Sequence, residues 1–182
     1  MARLLEKYKS DVIPSVKEEF EVKNVMQLPK VVKICVSMGM GQYCSDVKKI
    51  DRCAEELGVI VGQKAVQTKA KVSEAGFKVR KDMPVGCRVT LRGQRMWEFL
   101  DRFISVAAPR IADFHGFSRK GFDQKGNYSF GVNEQSIFPE VNLDKMEVTQ
   151  GMNVNVVFEN STEQVSEAIL EKLGFPFQRK DK

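Results

Sequence analysis

The side chains in this sequence that are best suited to chemistry are cations, and they are concentrated between positions 63 and 95. Nine lysines and arginines and two carboxylates fall there, so this stretch carries a net charge of +7 while the whole chain carries +5. The cations are Lys64, Lys69, Lys71, Lys78, Arg80, Lys81, Arg88, Arg92 and Arg95. Cations at this density bind a polyanion, most often a nucleic acid. A solvated basic hairpin without a partner is the alternative.

The case for catalysis or metal binding is weak by comparison. His115 is the only histidine, and no serine or cysteine motif supplies a nucleophile beside it. Carboxylates such as Asp101, Asp113 and Glu140 lack the spacing of a metal site. Cysteines at 35, 44, 53 and 87 form no C-x-x-C pair and are expected to be reduced, mostly buried thiols. The sequence therefore predicts no catalytic residue, no metal site and no cofactor.

One arrangement keeps an enzyme open as an alternative function. Gly39 and Gly41 follow a predicted strand, and a glycine turn can bring backbone amides close to a phosphate. Lys64 and Arg92 would add positive charge. The third glycine of a dinucleotide-binding fingerprint is missing, however, and no G-K-[ST] follows. A small phosphate-handling enzyme is therefore one rival, and a free regulatory RNA-binding protein is the other.

Length and composition predict one soluble domain covering residues 1–182. The chain is 42% hydrophobic and 29% charged, which is ordinary for a globular protein, and its pI near 9.0 leans mildly towards nucleic acid. The first residues lack the apolar run of a signal peptide, and no apolar run is long enough to span a bilayer. We expect a cytoplasmic protein without a membrane partner.

Hydrophobic periodicity predicts the strands that carry the cations. Alternation over 31–36 and 85–91 indicates two strands with one apolar face each. In the second, Gly86, Arg88, Thr90 and Arg92 are expected on the polar face. Residues 65–68 form the first strand of a hairpin, and residues 69–84 form a long exposed loop. A further strand is predicted at 153–159.

Apolar residues at helical spacing predict helices over 3–20, from 45 to about 58–62, over 96–107 and over 161–173. Pro14 is expected to interrupt the first, Ser45 to cap the second and Gly174 to end the last. Residues 113–143 are expected to be irregular, with aromatic rings that either stack on bases or hold the loop to the core. Residues 179–182 are expected to form a basic tail.

The order of these elements contains a β-α-β-β-α-β core. It predicts an α+β fold of the ferredoxin-like, split β-α-β type: an antiparallel sheet with helices on one face, a long basic loop and an N-terminal helix. The free face of such a sheet is a common platform for nucleic acid.

Several stretches in their order along the chain resemble the family of ribosomal protein number five of the large subunit. They are VMQLPK at 25–30, GQK at 62–64, TKAK at 68–71, AGFKVR at 75–80, PVGCRVTLRG at 84–93, RMWEF at 95–99, PRI at 109–111, DF at 113–114, GNYS at 126–129 and EQSIFPE at 134–140. The resemblance covers nearly the whole chain. It implies a structural, non-enzymatic protein that binds 5S rRNA in the central protuberance of the ribosome.

The resemblance also implies partners and site residues. The rRNA-binding residues would be Ser37, Gln63, Lys64, Arg88, Thr90, Arg92 and Arg95. The loop would reach the elbow of the P-site tRNA through Lys69, Lys71, Lys78, Arg80 and Lys81. The irregular region would form an intersubunit bridge with a protein of the small-subunit head. Further partners would be 23S-type rRNA and other ribosomal proteins of the central protuberance.

Two positions depart from the family pattern. The family usually has Asn where this chain has Ser37, which keeps a donor and an acceptor but is shorter than the amide. The Arg-rich run that follows PRI in the family is reduced here to Ala112 and His115, so fewer backbone contacts are expected in that region.

Overall fold

A computed structural model describes residues 2–22, 24–143 and 146–178 and shows an α+β fold with a five-stranded antiparallel sheet. The strands are β1 (Lys30–Gly39), β2 (Val66–Lys69), β3 (Pro84–Leu91), β4 (Tyr128–Val132) and β5 (Met152–Glu159). They lie in the order β2-β3-β1-β5-β4. The predicted fold class is confirmed. The predicted basic tail at 179–182 lies outside the described residues.

The burial pattern of β3 confirms the predicted alternation. Cys87, Val89 and Leu91 are buried, whereas Arg88 and Thr90 are exposed. The second half of β1 alternates in the same way. Because a slip of one residue would move every side chain to the opposite face, this pattern fixes the register. The polar side chains of β3 therefore face away from the core.

The helices are α1 (Arg3–Lys7), α2 (Ile13–Glu19), α3 (Val47–Val61), α4 (Gly93–Arg102) and α5 (Glu163–Leu173). A wide, π-helical turn, Tyr8–Val12, joins α1 to α2 just before Pro14. Its last backbone hydrogen bond is donated by Ile13 N–H to the Tyr8 carbonyl. A second wide turn, Phe103–Ala107, follows α4 before Pro109. Proline lacks an N–H and clashes inside a regular helix. The predicted interruption at Pro14 is therefore a widened turn.

Two predicted helix starts are wrong. α3 begins at Val47 after Asp46, so Ser45 is not its N-cap. α4 begins at Gly93, three residues before the predicted start at 96. Neither Asp46 nor Arg92, the two N-cap residues, caps its helix through a side-chain hydrogen bond, so no capping residue marks either start in the sequence. The predicted end of α3 at about 58–62 and that of α5 at Gly174 are confirmed, with Gly62 and Gly174 as the C-caps.

The region predicted to be irregular contains the strand β4. Tyr128, Phe130 and Val132 are buried, while Ser129 and Gly131 between them are exposed. This is the period-two pattern of a half-buried strand. The glycines that punctuate the region concealed the pattern, and the sheet consequently has one strand more than the predicted core.

The residues fall into two compact units, of which the first comprises 1–34, 91–130 and 155–182. Its core holds an aromatic cluster in which the Phe103, Phe117, Phe130 and Phe175 ring centroids lie 4.8–6.1 Å apart. The structure therefore supports the expectation that these phenylalanines hold the loop to the core. They do not form an open stacking platform.

The Arg119 side chain is bound by groups of the same unit. Its guanidinium pairs with Glu167 and with Glu171 of α5, and its Nε donates to the Gln178 carbonyl at 3.1 Å. The guanidinium carbon also lies 5.1 Å from the centroid of the Phe177 ring. This cation is therefore engaged within the protein.

The second unit comprises residues 35–90 and 131–154. Met40, Ile50, Cys53 and Val148 form a buried cluster beneath α3. Burial raises the pKa of the Cys53 and Cys87 thiols to about 11. Both thiols are consequently protonated and poorly reactive at neutral pH. All the predicted tRNA-binding residues, and five of the seven predicted rRNA-binding residues, belong to this unit.

Candidate nucleic-acid interface

The exposed face of the second unit's strands is polar. Arg88 and Thr90 of β3 are exposed, and Ser37 of β1 is half-buried. In the antiparallel pairing of β2 with β3, Val66 lies opposite Arg88 and Thr68 lies opposite Gly86. These residues share one face because paired residues in a sheet point to the same side. The face thus combines short polar groups with one cation, Arg88, and one exposed apolar side chain, Val66.

Gln63 is held against this face by the connection between α3 and β2. Gly62 has a φ of 72°, a left-handed conformation that ends α3 and turns the chain towards β2. The Gln63 side-chain Nε2 then donates to the Thr90 carbonyl at 3.2 Å. The Thr90 hydroxyl lies 3.8 Å from the Cys35 thiol. Two of the residues predicted to bind rRNA are thus in direct contact, although they are 27 positions apart.

A shallow groove lies beside this contact, between α3 and β2. Its volume is about 740 Å³, and Asp51, Gln63, Lys64 and Gln67 are among its lining residues. The Gln67 amide donates to the Asp51 carboxylate within it. Lys64 is exposed. The groove gives the polar face a concave margin whose charged lining is one cation, Lys64, and two carboxylates, Asp51 and Glu55.

Gly86 permits the close approach of β1 and β3 on this face. A Cβ at this position would lie 2.4 Å from the Met38 carbonyl oxygen and 3.3 Å from the Thr68 hydroxyl. Only glycine leaves room for this backbone contact. The spacing between Ser37 of β1 and Thr90 of β3 therefore depends on the absence of a side chain at Gly86.

Gly86→Ala is expected to lower the free energy of unfolding by about 1–3 kcal/mol, because the strands must shift to admit the methyl group. Urea unfolding followed by the fluorescence of the single tryptophan, Trp97, measures the change. Gly39→Ala is the matched control, since a Cβ there meets no atom within 4 Å. Equal stability of both variants would contradict the tight approach.

The remaining predicted rRNA-binding residues, Arg92 and Arg95, belong to the first unit. Arg92 is the extended residue that precedes α4, and Arg95 lies in the first turn of that helix. Both side chains are exposed. They follow directly after β3 in the chain.

The predicted loop at 69–84 is an ordered hairpin that extends β2 and β3. Ala70 N–H donates to the Met83 carbonyl at 2.9 Å, and Asp82 N–H donates to the Ala70 carbonyl at 3.0 Å. Nearer the tip, Glu74 and Val79 exchange two backbone hydrogen bonds of 2.9 and 3.2 Å. These bonds cover the backbone at both ends of the segment. The loop thus has a defined shape before it meets any partner.

The five cations predicted to bind tRNA all project from this hairpin. Lys69, Lys71, Lys78, Arg80 and Lys81 are exposed. Within residues 2–22, 24–143 and 146–178, none of them forms an ion pair. Glu74 and Asp82 are the only carboxylates in the hairpin sequence. The segment therefore presents uncompensated positive charge, which attracts phosphate groups.

The structure weighs against the rival phosphate-handling enzyme. The backbone amide of Met40, between the two glycines, donates to the Val85 carbonyl at 2.9 Å. It is therefore unavailable to a phosphate.

In the described part of the chain, no three residues among the His, Cys, Asp and Glu side chains cluster as metal ligands would. No helix in the same residues has the length and apolar character needed to cross a bilayer.

Sequence reasoning missed two features of the second unit. One is an acidic groove of about 610 Å³ whose lining includes four glutamates at 55, 56, 140 and 147. Its one arginine, Arg52, pairs with Glu147, and burial raises the pKa of the Glu56 carboxyl. The other is Phe77, which is 80% exposed at the hairpin tip. Its signal in the sequence was a lone aromatic residue between Gly76 and a lysine.

The fold and the exposed cations define a nucleic-acid-binding structural protein. Comparison with known families makes the class specific: residues 24–80 match the model described as ribosomal protein L5, and residues 84–177 match the ribosomal L5P family C-terminus. The chain belongs to the ribosomal protein L5 family, whose members are structural and non-enzymatic.

Similarity to individual proteins extends over almost the whole chain. This chain is 53% identical to large ribosomal subunit protein uL5 of Geobacter sulfurreducens and 54% identical to that of Syntrophus aciditrophicus. The uL5 protein of Citrifermentans bemidjiense is 50% identical. Each alignment covers 98% of this chain and 99% of the relative. The resemblance inferred from short motifs is thereby confirmed.

Proposed function

We propose that this chain is a structural constituent of the large ribosomal subunit that binds 5S rRNA in the central protuberance through its polar sheet face. The same protein contacts P-site tRNA through the basic hairpin and takes part in an intersubunit bridge to the small-subunit head. Family membership supports the ribosomal role. The individual RNA contacts are supported by the arrangement of residues on the two surfaces.

The observation that carries the proposal is the separation of neutral polar groups from cations. The sheet face offers Ser37, Thr90 and the Gln63–Thr90 contact, with Arg88 beside them. Short polar groups on a rigid sheet suit the shape and hydroxyls of folded RNA. The hairpin offers five exposed cations, which suit phosphates without regard to sequence. Two different RNA ligands are the natural interpretation of two such different surfaces.

The length of the hairpin supports a second ligand. From Lys69 at the end of β2 to Phe77 near the tip are eight residues, and an extended chain of that length spans up to about 26 Å. A projection of up to this length can reach an RNA other than the one held by the sheet. Because its backbone hydrogen bonds are already made, little ordering entropy is lost on contact.

The acidic groove supports protein partners. Its glutamates would attract a basic segment, and ribosomal proteins that neutralise rRNA are typically rich in lysine and arginine. We assign the bridge with a small-subunit head protein to the region at 113–143, which contributes Glu140, Val141 and Asn142 to the lining of this groove. Contacts with 23S-type rRNA and with neighbouring proteins of the central protuberance complete the proposed set of partners. The exposed Arg92 and Arg95 are proposed to contact rRNA.

Co-sedimentation with large ribosomal subunits, together with filter binding to 5S rRNA, tests the proposal. We expect the tagged chain to sediment with large subunits, and to bind 5S rRNA more tightly than an unrelated structured RNA of equal length. Free nucleotides are the control for the enzyme alternative. Tight nucleotide binding without 5S rRNA binding would contradict the proposal, and RNA binding without co-sedimentation would favour a free regulatory protein.

A further inference from the structure

The tip of the hairpin presents a large apolar ring to solvent. Phe77 is 80% exposed, and within the described residues its ring has no aromatic partner. Eight other phenylalanines each contact another aromatic ring. They are the residues at 99, 103, 114, 117, 122, 130, 175 and 177. An exposed aromatic residue of this size loses favourable burial unless something covers it.

The backbone holds this ring in a defined place. Residues 75–78 form a four-residue turn closed by Lys78 N–H donating to the Ala75 carbonyl at 3.1 Å, with Lys78 in the left-handed conformation at a φ of 54°. The pair of bonds between Glu74 and Val79 fixes the base of the turn. Lys81 N–H donates to the Ser73 hydroxyl at 2.9 Å and braces the two arms. Phe77 is thus presented on a turn that is already formed.

The charges around the ring indicate what covers it. Lys78 is adjacent in sequence, Arg80 and Lys81 follow on the same arm, and Lys71 lies on the other. Between residues 71 and 81 these four cations outnumber the single carboxylate, Glu74. Cations on the same hairpin as an exposed aromatic ring are an arrangement that binds RNA, because the cations take the phosphates while the ring takes the face of a base. An acidic protein would match the charges and could cover the ring with an aromatic side chain of its own. RNA is favoured because every nucleotide offers both a phosphate and a flat base.

We propose that Phe77 stacks on an exposed nucleobase, or on the outermost base pair, of the RNA that the hairpin meets. The inference rests on the proposed function, in which that RNA is P-site tRNA. Phosphate contacts position the hairpin on the RNA backbone but carry no sequence information. A ring stacked on one base adds a contact to a base, which the cations do not supply.

Salt dependence separates stacking from phosphate contact. Removing a phosphate contact lowers the slope of log K against log salt by about 0.7–0.9, whereas removing a stacked ring lowers affinity at every salt concentration and leaves the slope unchanged. Loss of one stacked base weakens binding by about five- to 150-fold. The two kinds of contact therefore have different signatures in one titration.

The experiment uses ribosomes assembled with variant chains and measures equilibrium binding of deacylated tRNA to the P site over a salt series. The variants are Phe77→Ala, Phe77→Leu and Phe77→Trp, with Val72→Ala as the matched control because Val72 is 73% exposed on the same hairpin. We expect Phe77→Ala and Phe77→Leu to weaken binding with an unchanged slope. Phe77→Trp and Val72→Ala are expected to bind like the original chain.

Each other outcome overturns the inference in a distinguishable way. If Phe77→Leu binds like the original, an apolar contact without stacking is present. If Phe77→Ala has no effect while a Lys71→Ala, Arg80→Ala double variant weakens binding, the hairpin contacts phosphates only, and the proposed function survives. If neither weakens binding, the tRNA contact itself is wrong. If Phe77→Ala instead impairs incorporation into tRNA-free large subunits, the ring docks on a ribosomal component other than tRNA.

Discussion

Gln63→Ala and Thr90→Ala are each expected to weaken binding to free 5S rRNA by about 1–3 kcal/mol, which is the cost of leaving a buried polar partner unsatisfied. The Gln63 side chain donates to the Thr90 carbonyl, so its loss also releases the connection between α3 and β2 from β3. Because loss of the Gln63 side chain also releases the strand that positions the Thr90 hydroxyl, we expect the double variant to lose less than the sum of the single losses. Filter binding at fixed salt measures all three.

Two control variants test whether a loss of 5S rRNA binding is specific to the side chains on the sheet face. Thr90→Ser retains the hydroxyl and is expected to bind within a few-fold of the original chain. Thr149→Ala removes an exposed threonine elsewhere in the second unit and is expected to have no effect. Unchanged 5S rRNA binding by both Gln63→Ala and Thr90→Ala would show that the sheet face is not the 5S rRNA site.

Replacing Lys69, Lys71, Lys78 and Arg80 together by alanine is expected to leave binding to free 5S rRNA nearly intact and to weaken tRNA binding in the assembled ribosome. The four side chains are exposed on the hairpin. If each neutralises one phosphate, the slope of log K against log salt for tRNA falls by about 3. The measurement is a salt titration of P-site tRNA binding.

A charge-matched variant shows whether position or total charge matters. Alanines at Lys7, Lys9, Lys17 and Lys48 remove the same charge from exposed sites outside the hairpin. We expect that variant to keep the original tRNA slope. If the hairpin substitutions abolish 5S rRNA binding while the sheet substitutions leave it unchanged, the two surfaces have been assigned the wrong way round.

The sequence was most informative where a local pattern carries a physical constraint. The alternation around Arg88 and Thr90 fixed their face, because a strand has only two sides. Glycines at 62 and 174 marked helix ends because they adopt a conformation that costs other residues energy. The net charge of the stretch at 63–95 indicated a polyanion before any element was placed.

Contacts between distant residues could not be obtained in this way. Nothing in the sequence pairs Gln63 with Thr90, since the hydrogen bond depends on how α3 meets the sheet. The acidic groove joins glutamates near 55 to others beyond 140, and no periodicity links them. The sequence also did not predict that the segment at 69–84 is an ordered hairpin. Lysine, serine and glycine favour loops, and the hydrogen bonds that close this segment join backbone atoms, which every sequence has.

The wide turns before the two prolines have a geometric consequence for the helices that contain them. The buried residues of the N-terminal helical segment are Leu4, Tyr8, Val12 and Val16, a strict repeat of four. At 3.6 residues per turn, a repeat of four drifts by roughly 40° each time, and Val16 would point about 120° away from Leu4. A π-helical turn holds about 4.4 residues and reverses part of this rotation.

The same repeat recurs at Phe99, Phe103 and Ala107, across the other wide turn. Each widened turn therefore corrects the angular phase of its helix and keeps one seam of side chains facing the interior. In both helical segments of this chain, a four-residue apolar repeat close to a proline thus coincides with a helix that is locally underwound.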